Sequence, residues 1–222
     1  MTTRRFTGTD GYAQEAAAAF DRYDALPFEH VHRAALHLFP ERPSRVLDIG
    51  AGTGRDAGWW VARGARVVAA EPTDELREPA RLRHPSPAIT WLGDGLAELS
   101  AVHALQLTFE LVMCTGVWMH LDQAERRRAM RATAPLLGPA GQLSISLRHG
   151  PVPEGRRMFE VTGAETRALA AEHGLNCRLE VDQESIQPSN RNAGVTWTYL
   201  LFERSCQRAS QPPSTGTTAP CM

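Results

Sequence analysis

The 222-residue sequence contains no lysine, so all of its permanently charged cationic side chains are arginines. This absence excludes mechanisms that depend on a lysine, such as Schiff-base formation or phosphate binding by a P-loop lysine. An excess of positive charge is also missing, because 24 lysine and arginine residues face 25 aspartates and glutamates, for a net charge of −1. Proteins that bind nucleic acids usually concentrate a basic excess, and we therefore expect no nucleic-acid partner.

Cysteine is scarce, and long apolar runs are absent. The four cysteines, Cys114, Cys177, Cys206 and Cys221, form no C-x-x-C pair and show no zinc-site spacing, so we expect no structural metal site. Scattered thiols and an N-terminus without an apolar leader favour a cytoplasmic protein. No run of 18 apolar residues occurs, so we expect no membrane-spanning segment.

Apolar segments alternate with amphipathic ones along most of the chain. The predicted strands are Arg45–Ile49, Arg66–Ala70, Ala88–Leu92, Phe109–Cys114, Gln142–Leu147, Cys177–Asp182 and Val195–Glu203. Two short helices are predicted within Tyr12–Leu38, separated at Pro27. Further helices are predicted at Arg55–Arg63, Leu76–Arg83, Gln123–Leu137 and Gly163–His173. This alternation predicts an α/β fold, a Rossmann-like and mostly parallel sheet of seven strands with helices on both faces. The last strand fits an antiparallel position beside the fifth.

A glycine-rich turn follows the first predicted strand. The chain reads Asp48-Ile49-Gly50-Ala51-Gly52-Thr53-Gly54, and a predicted helix begins at Arg55. Glycines let the backbone approach a ligand closely, and the start of the helix presents unpaired N–H groups. The segment therefore predicts a cradle for a cofactor.

Two cofactor classes fit such a turn. Gly52, Gly54 and Ala57 satisfy the dinucleotide pattern G-x-G-x-x-G/A. Asp48 favours the other class, because its carboxylate would repel a pyrophosphate and attract the amino group of S-adenosylmethionine.

From Asp48 to Gly54 the sequence resembles the first motif of the class I, Rossmann-like S-adenosylmethionine-dependent methyltransferases of the small-molecule type. The resemblance covers about residues 40–203, although Gly138-Pro139-Ala140-Gly141 stands where the family has Lys-Pro-Gly-Gly. It implies that Glu71 binds both ribose hydroxyls and that Asp94 meets the adenine amino group. The cofactor-binding residues implied in this way are Asp48, Gly50, Ala51, Gly52, Gly54, Glu71, Pro72, Asp94, Gly95 and Thr115.

The resemblance also divides the chain into a helical lid over residues 1–39 and an S-adenosylmethionine-binding domain over residues 40–204. Residues 205–222 are rich in serine, threonine and proline, and they are predicted to form a disordered tail.

Candidate acceptor-site residues follow the fourth and fifth predicted strands, since ligands of such sheets bind at the carboxyl ends of the strands. His120 is the candidate general base, although it fits equally a role in bracing its loop. Trp118, Arg148 and His149 are candidate substrate-binding residues, together with Tyr23 of the lid, and Trp118 also fits a place in the core. Such residues suit a small acceptor that is acidic or aromatic.

The segment after the fourth strand reads Cys114-Thr115-Gly116-Val117, without the Asn/Asp-Pro-Pro-Tyr/Phe tetrad that grips planar amino groups of nucleobases. We therefore expect methyl transfer to a small molecule, at oxygen or nitrogen rather than carbon or sulfur, by a monomer or homodimer. Two alternatives stay open: a non-catalytic module that binds S-adenosylmethionine or S-adenosylhomocysteine, and a nicotinamide-dependent oxidoreductase. The oxidoreductase would lack the Tyr-x-x-x-Lys of short-chain dehydrogenases.

Overall fold

A seven-stranded sheet forms the centre of the protein, whose computed structural model describes Phe6 and residues 8–205. The predicted tail, apart from Ser205, lies outside the described residues, as do Cys206 and Cys221. The strands are β1 (Arg45–Ile49), β2 (Arg66–Ala70), β3 (Ile89–Leu92), β4 (Phe109–Cys114), β5 (Leu137–His149), β6 (Leu175–Glu184) and β7 (Thr196–Arg204). Their spatial order is β3-β2-β1-β4-β5-β7-β6.

The five strands from β3 to β5 in this order are parallel, and β7 runs antiparallel between β5 and β6. This arrangement confirms the predicted Rossmann-like sheet and the antiparallel position of the last strand. β1, β2 and β4 are apolar and almost wholly buried, as expected of parallel strands that are covered on both faces. Their side chains divide between two apolar cores, one on each face of the sheet.

Eight α-helices connect and flank the described strands. They are α1 (Ala16–Asp24), α2 (Phe28–Val31), α3 (Arg55–Val61), α4 (Asp74–Arg83), α5 (Ser100–Ala104), α6 (Gln123–Thr133), α7 (Gly163–Ala171) and α8 (Pro188–Asn192). Pro27 separates α1 from α2, as predicted, because proline lacks the N–H that an uninterrupted helix needs. α6 begins with a capping box in which the side chains of Asp122 and Glu125 each accept the other's backbone N–H. No described helix is long and apolar enough to cross a membrane.

The largest difference from the predicted elements is in β5. The segment Gly138-Pro139-Ala140-Gly141, expected to form a turn before the strand, lies inside it. Phe109 of β4 pairs with Leu137, and Leu111, only two residues later, pairs with Gln142. The extra residues on β5 therefore form a bulge, in which glycine and proline take their usual place at an irregularity of a strand.

Candidate functional site

A cavity of about 280 Å³ opens at the carboxyl ends of β1, β2, β4 and β5. Residues from the N-terminal segment, including Tyr12 and Tyr23, form one of its walls. The parallel strands bring their ends to a single edge of the sheet, so residues far apart in sequence meet there. Most of the predicted cofactor-binding residues line this cavity, namely Asp48, Gly50, Ala51, Gly52, Glu71, Pro72, Gly95 and Thr115.

The turn after β1 has no room for a side chain at its first glycine, Gly50. Gly50 has φ +69°, a conformation that favours glycine, and a Cβ atom there would lie 2.4 Å from Cγ2 of Val117. The N–H groups of Gly50 and Ala51 both donate to the carbonyl of Ala70, at 2.8 and 3.2 Å, which ties the turn to the end of β2. The turn is thus held rigidly against the neighbouring strand.

Glu71, directly after β2, is buried and is held by two backbone donors. Its Oε2 accepts a hydrogen bond from the N–H of Gly52 at 2.9 Å, and its Oε1 accepts one from the N–H of Thr73 at 2.8 Å. Burial raises the pKa of Glu71, and these two hydrogen bonds oppose that rise. Each oxygen keeps a further lone pair for a ligand hydroxyl.

Two buried carboxylates lie near the start of α3, Asp56 in its first turn and Asp48 in β1. Asp56 is paired, because its Oδ2 lies 2.7 Å from Nε2 of His32 and its Oδ1 lies 2.6 Å from Nε of Arg55. Burial acts to raise the pKa of Asp56, but Arg55 and His32 bring it below its ordinary value. Asp48 lines the cavity, and its Oδ2 is buried with no hydrogen-bond partner among the described residues. Burial, and after it the charge of Asp56, raises the pKa of Asp48 well above its ordinary value.

His120 also lines the cavity, and its neighbours determine its tautomer. Nδ1 is 2.7 Å from the carbonyl oxygen of Arg157, which can only accept, so Nδ1 carries the proton. Nε2 then accepts a hydrogen bond from the Tyr12 hydroxyl at 2.9 Å. Burial lowers the pKa of His120, and the nearby positive charges of Arg156 and Arg148 lower it further. The lowered pKa favours the neutral imidazole of His120, and its basic nitrogen faces Tyr12 of the N-terminal segment.

The N-terminal segment is attached to the loop after β5 through Arg156. Its Nη1 donates to the carbonyl of Asp10 at 3.2 Å, and its Nη2 pairs with Glu15 at 2.8 Å. The guanidinium also stacks on the Tyr12 ring, 3.6 Å from its centroid. These contacts hold Tyr12 against His120.

Four predicted site residues do not line the cavity. Gly54 packs against His84 and Trp91, and Asp94 uses Oδ2 to accept the N–H groups of residues 101 and 102 at the start of α5. Trp118 is buried in the apolar core, so a substrate wall is the wrong prediction for it. His149 contacts Thr198 instead, with Nε2 2.7 Å from Oγ1, because neighbouring residues of a strand point to opposite faces and Arg148 takes the cavity side.

Several cavity residues carried no recognisable signal in the sequence. The pairing of Asp56 with His32 joins positions 24 residues apart, and only the packing of the N-terminal segment on α3 brings them together. Trp197 and Tyr199 of β7 also line the cavity, because β7 inserts beside β5. No pattern within a short segment of the sequence predicts such contacts.

Residues 46–141 match the model of the family described as "Methyltransferase domain". A curated relative, an uncharacterized methyltransferase of Mycobacterium tuberculosis, is 32% identical over 111 residues, which cover 49% of this chain and 41% of the relative. The chain thus matches less than half the length of that relative. The match agrees with the predicted methyltransferase class over residues 46–141, and S-adenosylmethionine is the cofactor that this class uses.

Solved structures share the fold across most of the chain. The N-methyltransferase NodS from Bradyrhizobium japonicum, solved with S-adenosylhomocysteine, is 17% identical, covers 88% of this chain and 99% of its own, and gives a TM-score of 0.65. The 1,6-didemethyltoxoflavin-N1-methyltransferase from Burkholderia thailandensis is 22% identical, covers 87% and 86%, and gives 0.60. At these identities the likeness shows the fold.

Proposed function

Because residues 46–141 belong to the methyltransferase-domain family, we propose that this chain is an S-adenosylmethionine-dependent methyltransferase acting on oxygen or nitrogen of a small molecule. One observation carries the proposal: a single cavity contains both the glycine cradle with its two carboxylates and the neutral His120. The cradle suits the cofactor and His120 suits an acceptor that must lose a proton. A cytoplasmic location, a monomeric or dimeric state and the domain boundaries stay predictions.

The cradle has the chemistry that the cofactor requires. The Oδ2 atom of Asp48, which has no hydrogen-bond partner among the described residues, can accept a hydrogen bond from a cationic amino group. Forming that bond is favourable, because a buried polar atom without a partner is costly. Glu71 offers carboxylate lone pairs suited to ribose hydroxyls. Pro72 and Leu96 supply apolar surface for the adenine ring. The close packing of Gly50 on Val117 keeps side-chain atoms out of the turn. The residues present therefore fit the group.

When bound, the cofactor would supply a methyl group on a positively charged sulfonium. The methyl group would pass to the acceptor by in-line displacement, with the neutral sulfide as the leaving group. The protein orients the acceptor relative to the methyl group and accepts the acceptor's proton. His120 stays neutral because its pKa is lowered, so it does not repel a neighbouring cation. An acceptor hydroxyl or amine that displaces the Tyr12 hydroxyl from Nε2 gives its proton to that nitrogen as the new bond forms, and the Arg157 carbonyl stabilises the resulting imidazolium through Nδ1.

Thermal unfolding tests cofactor recognition directly. A ligand that binds only the native state raises the unfolding temperature. We expect S-adenosylhomocysteine to raise it and NAD or NADP at the same concentration to leave it unchanged. The reverse pattern would replace the methyltransferase assignment with that of an oxidoreductase. Binding without transfer of labelled methyl to any component of a metabolite extract would indicate a non-catalytic binding module.

Cofactor affinity should depend on pH through Asp48. Its pKa is raised in the protein, so the carboxyl stays protonated to a higher pH than an ordinary aspartate does, whereas a bound ammonium group favours the ionised form. Binding therefore releases a proton, and affinity for S-adenosylhomocysteine should rise as the pH rises through that raised pKa. Calorimetry in two buffers of different ionisation enthalpy measures this release.

Asp48→Asn should bind more weakly and lose the proton release, since an amide has nothing to titrate. Asp21→Asn on the exposed face of α1 is the matched control and should behave as the unmodified protein does. Proton release that persists in Asp48→Asn would assign the titration to another group.

A further inference from the structure

We infer that the methyl acceptor carries a carboxylate on an apolar or aromatic skeleton and that Arg148 binds this carboxylate. The inference rests on the proposed function, since it concerns the acceptor part of the same cavity. It narrows the acceptor from any small molecule to an organic acid, and it assigns the contact to Arg148 alone among the arginines after β5.

The arginines of the cavity differ in how their charges are balanced. Arg22 pairs with Glu15 at 3.0 Å, Arg156 pairs with the same Glu15 at 2.8 Å, and Arg55 pairs with its neighbour Asp56 at 2.6 Å. Arg148 also lines the cavity, but no ion pair joins it to a carboxylate within the described part of the chain. Among the described residues, Arg148 is therefore the cavity arginine that contacts no carboxylate.

Arg148 has one edge of its guanidinium free of described acceptors. Its two hydrogen bonds to described residues both start from Nη1, to the carbonyl of Pro151 at 2.7 Å and to Sδ of Met158 at 3.9 Å. Nε and Nη2 donate to no described residue in these bonds, and together they form the fork that matches a carboxylate. The side chain is half-buried, and burial lowers the pKa of Arg148, with only the phenols of Tyr12 and Tyr23 opposing that effect. A partly desolvated cation that contacts no carboxylate gains from an anionic ligand.

The surroundings of Arg148 indicate what the carboxylate is attached to. Trp197 is its register partner on β7 and also lines the cavity. Met119, Met158 and Val117 add apolar surface to the same cavity. An apolar or aromatic skeleton would pack on this wall, since flat rings and thioethers make favourable contacts.

The cofactor has a carboxylate of its own, so Arg148 has two possible sources of its anion. The position of Arg148 favours the acceptor. It lies at the end of β5, whereas Asp48 lies on β1, and β4 separates these strands. Strands are about 4.8 Å apart, so the two residues lie about two strand spacings from each other across the sheet. On the same face of β5, Ser146 accepts a hydrogen bond from the N–H of Gly116. Arg148 follows two residues later, close enough to His120 for its charge to lower the pKa of that histidine.

The test uses the 222-residue chain saturated with S-adenosylhomocysteine, with three pairs of probes: benzoate and benzamide, phenylacetate and phenylacetamide, and 4-hydroxybenzoate and 4-hydroxybenzamide. Each pair differs in charge and little in shape. Calorimetry or ligand-observed NMR gives the affinity of each probe. We expect at least one acid to bind tenfold or more tightly than its amide, and Arg148→Gln to abolish that preference. Arg131→Gln, on the exposed side of α6, is the matched control and should retain it.

The affinity of each variant for S-adenosylhomocysteine alone is measured in parallel. Unchanged affinity in Arg148→Gln shows that the variant is folded and that its lost preference concerns the acceptor. A large loss of that affinity would assign Arg148 to the cofactor carboxylate and overturn the inference. The inference is also wrong if no acid outbinds its amide, or if the preference survives in Arg148→Gln. Failure of the unmodified chain to bind S-adenosylhomocysteine would instead reject the proposed function.

Discussion

His120→Ala is expected to lower kcat for methyl transfer by about 10²–10⁴-fold, the usual contribution of a positioned general base. The structure explains why a base is available there. The Arg157 carbonyl fixes the proton on Nδ1, so Nε2 keeps its lone pair, and the lowered pKa of His120 keeps the ring neutral. Turnover is measured with labelled S-adenosylmethionine and the acceptor identified from a metabolite extract. Affinity for S-adenosylhomocysteine should stay the same, because the proposed cofactor contacts are made by Asp48 and Glu71 and not by His120.

The pH profile separates a base from a bracing residue. The active form of His120 is the neutral one, which predominates above its pKa, and that pKa lies below the ordinary value of 6.5. The kcat/KM for the acceptor should therefore rise as the pH rises through this lowered value and should be flat by neutral pH. His120→Ala should lose this rise, whereas a residue that only braced the loop would leave the profile unchanged.

Two further variants complete the comparison. Tyr12→Phe removes the hydroxyl that binds Nε2 but keeps the base, so its turnover should fall far less than that of His120→Ala. His37→Ala, at an exposed position, is the matched control and should be as active as the unmodified protein. If His120→Ala turned over as fast as His37→Ala, the acceptor would need no base from this residue.

Glu71→Ala should weaken binding of S-adenosylhomocysteine at least tenfold, a loss of about 1.4 kcal/mol. The substitution removes the carboxylate available to the ribose hydroxyls. It also removes the acceptors for the N–H groups of Gly52 and Thr73, so the cradle loses the bonds that hold its shape. Calorimetric titration measures the change directly.

Glu71→Gln distinguishes these two effects. The amide keeps one acceptor oxygen, so the variant should recover part of the lost affinity. Glu75→Ala, at an exposed position in the first turn of α4, controls for the loss of a nearby negative charge and should bind normally. Normal affinity in Glu71→Ala would show that the residue implied by the family resemblance has no part in binding.

Local chemistry was sufficient to predict the framework. Apolar runs between glycine and proline breaks predicted β1, β2 and β4 with the bounds that the structure has, because strands buried on both faces need a continuous apolar sequence. The glycine turn was equally predictable, since its backbone angles and close packing admit little else. The same local reasoning failed at Gly138–Gly141, where pairing with β4 absorbs the predicted turn into a bulge.

The sequence by itself determined the succession of helices and strands, the cradle after β1 and the class of cofactor, because the patterns behind them lie in short segments of the chain, whereas the strand order of the sheet came from the structure. Only the tertiary structure decided which side chains share the cavity. Tyr12 meets His120 across 108 positions, and Glu15 neutralises Arg156 across 141, leaving Arg148 as the cavity arginine without a carboxylate in the described ranges. Contacts of this kind depend on how distant elements pack and on which face of a strand a residue occupies, and a one-dimensional pattern does not contain that information.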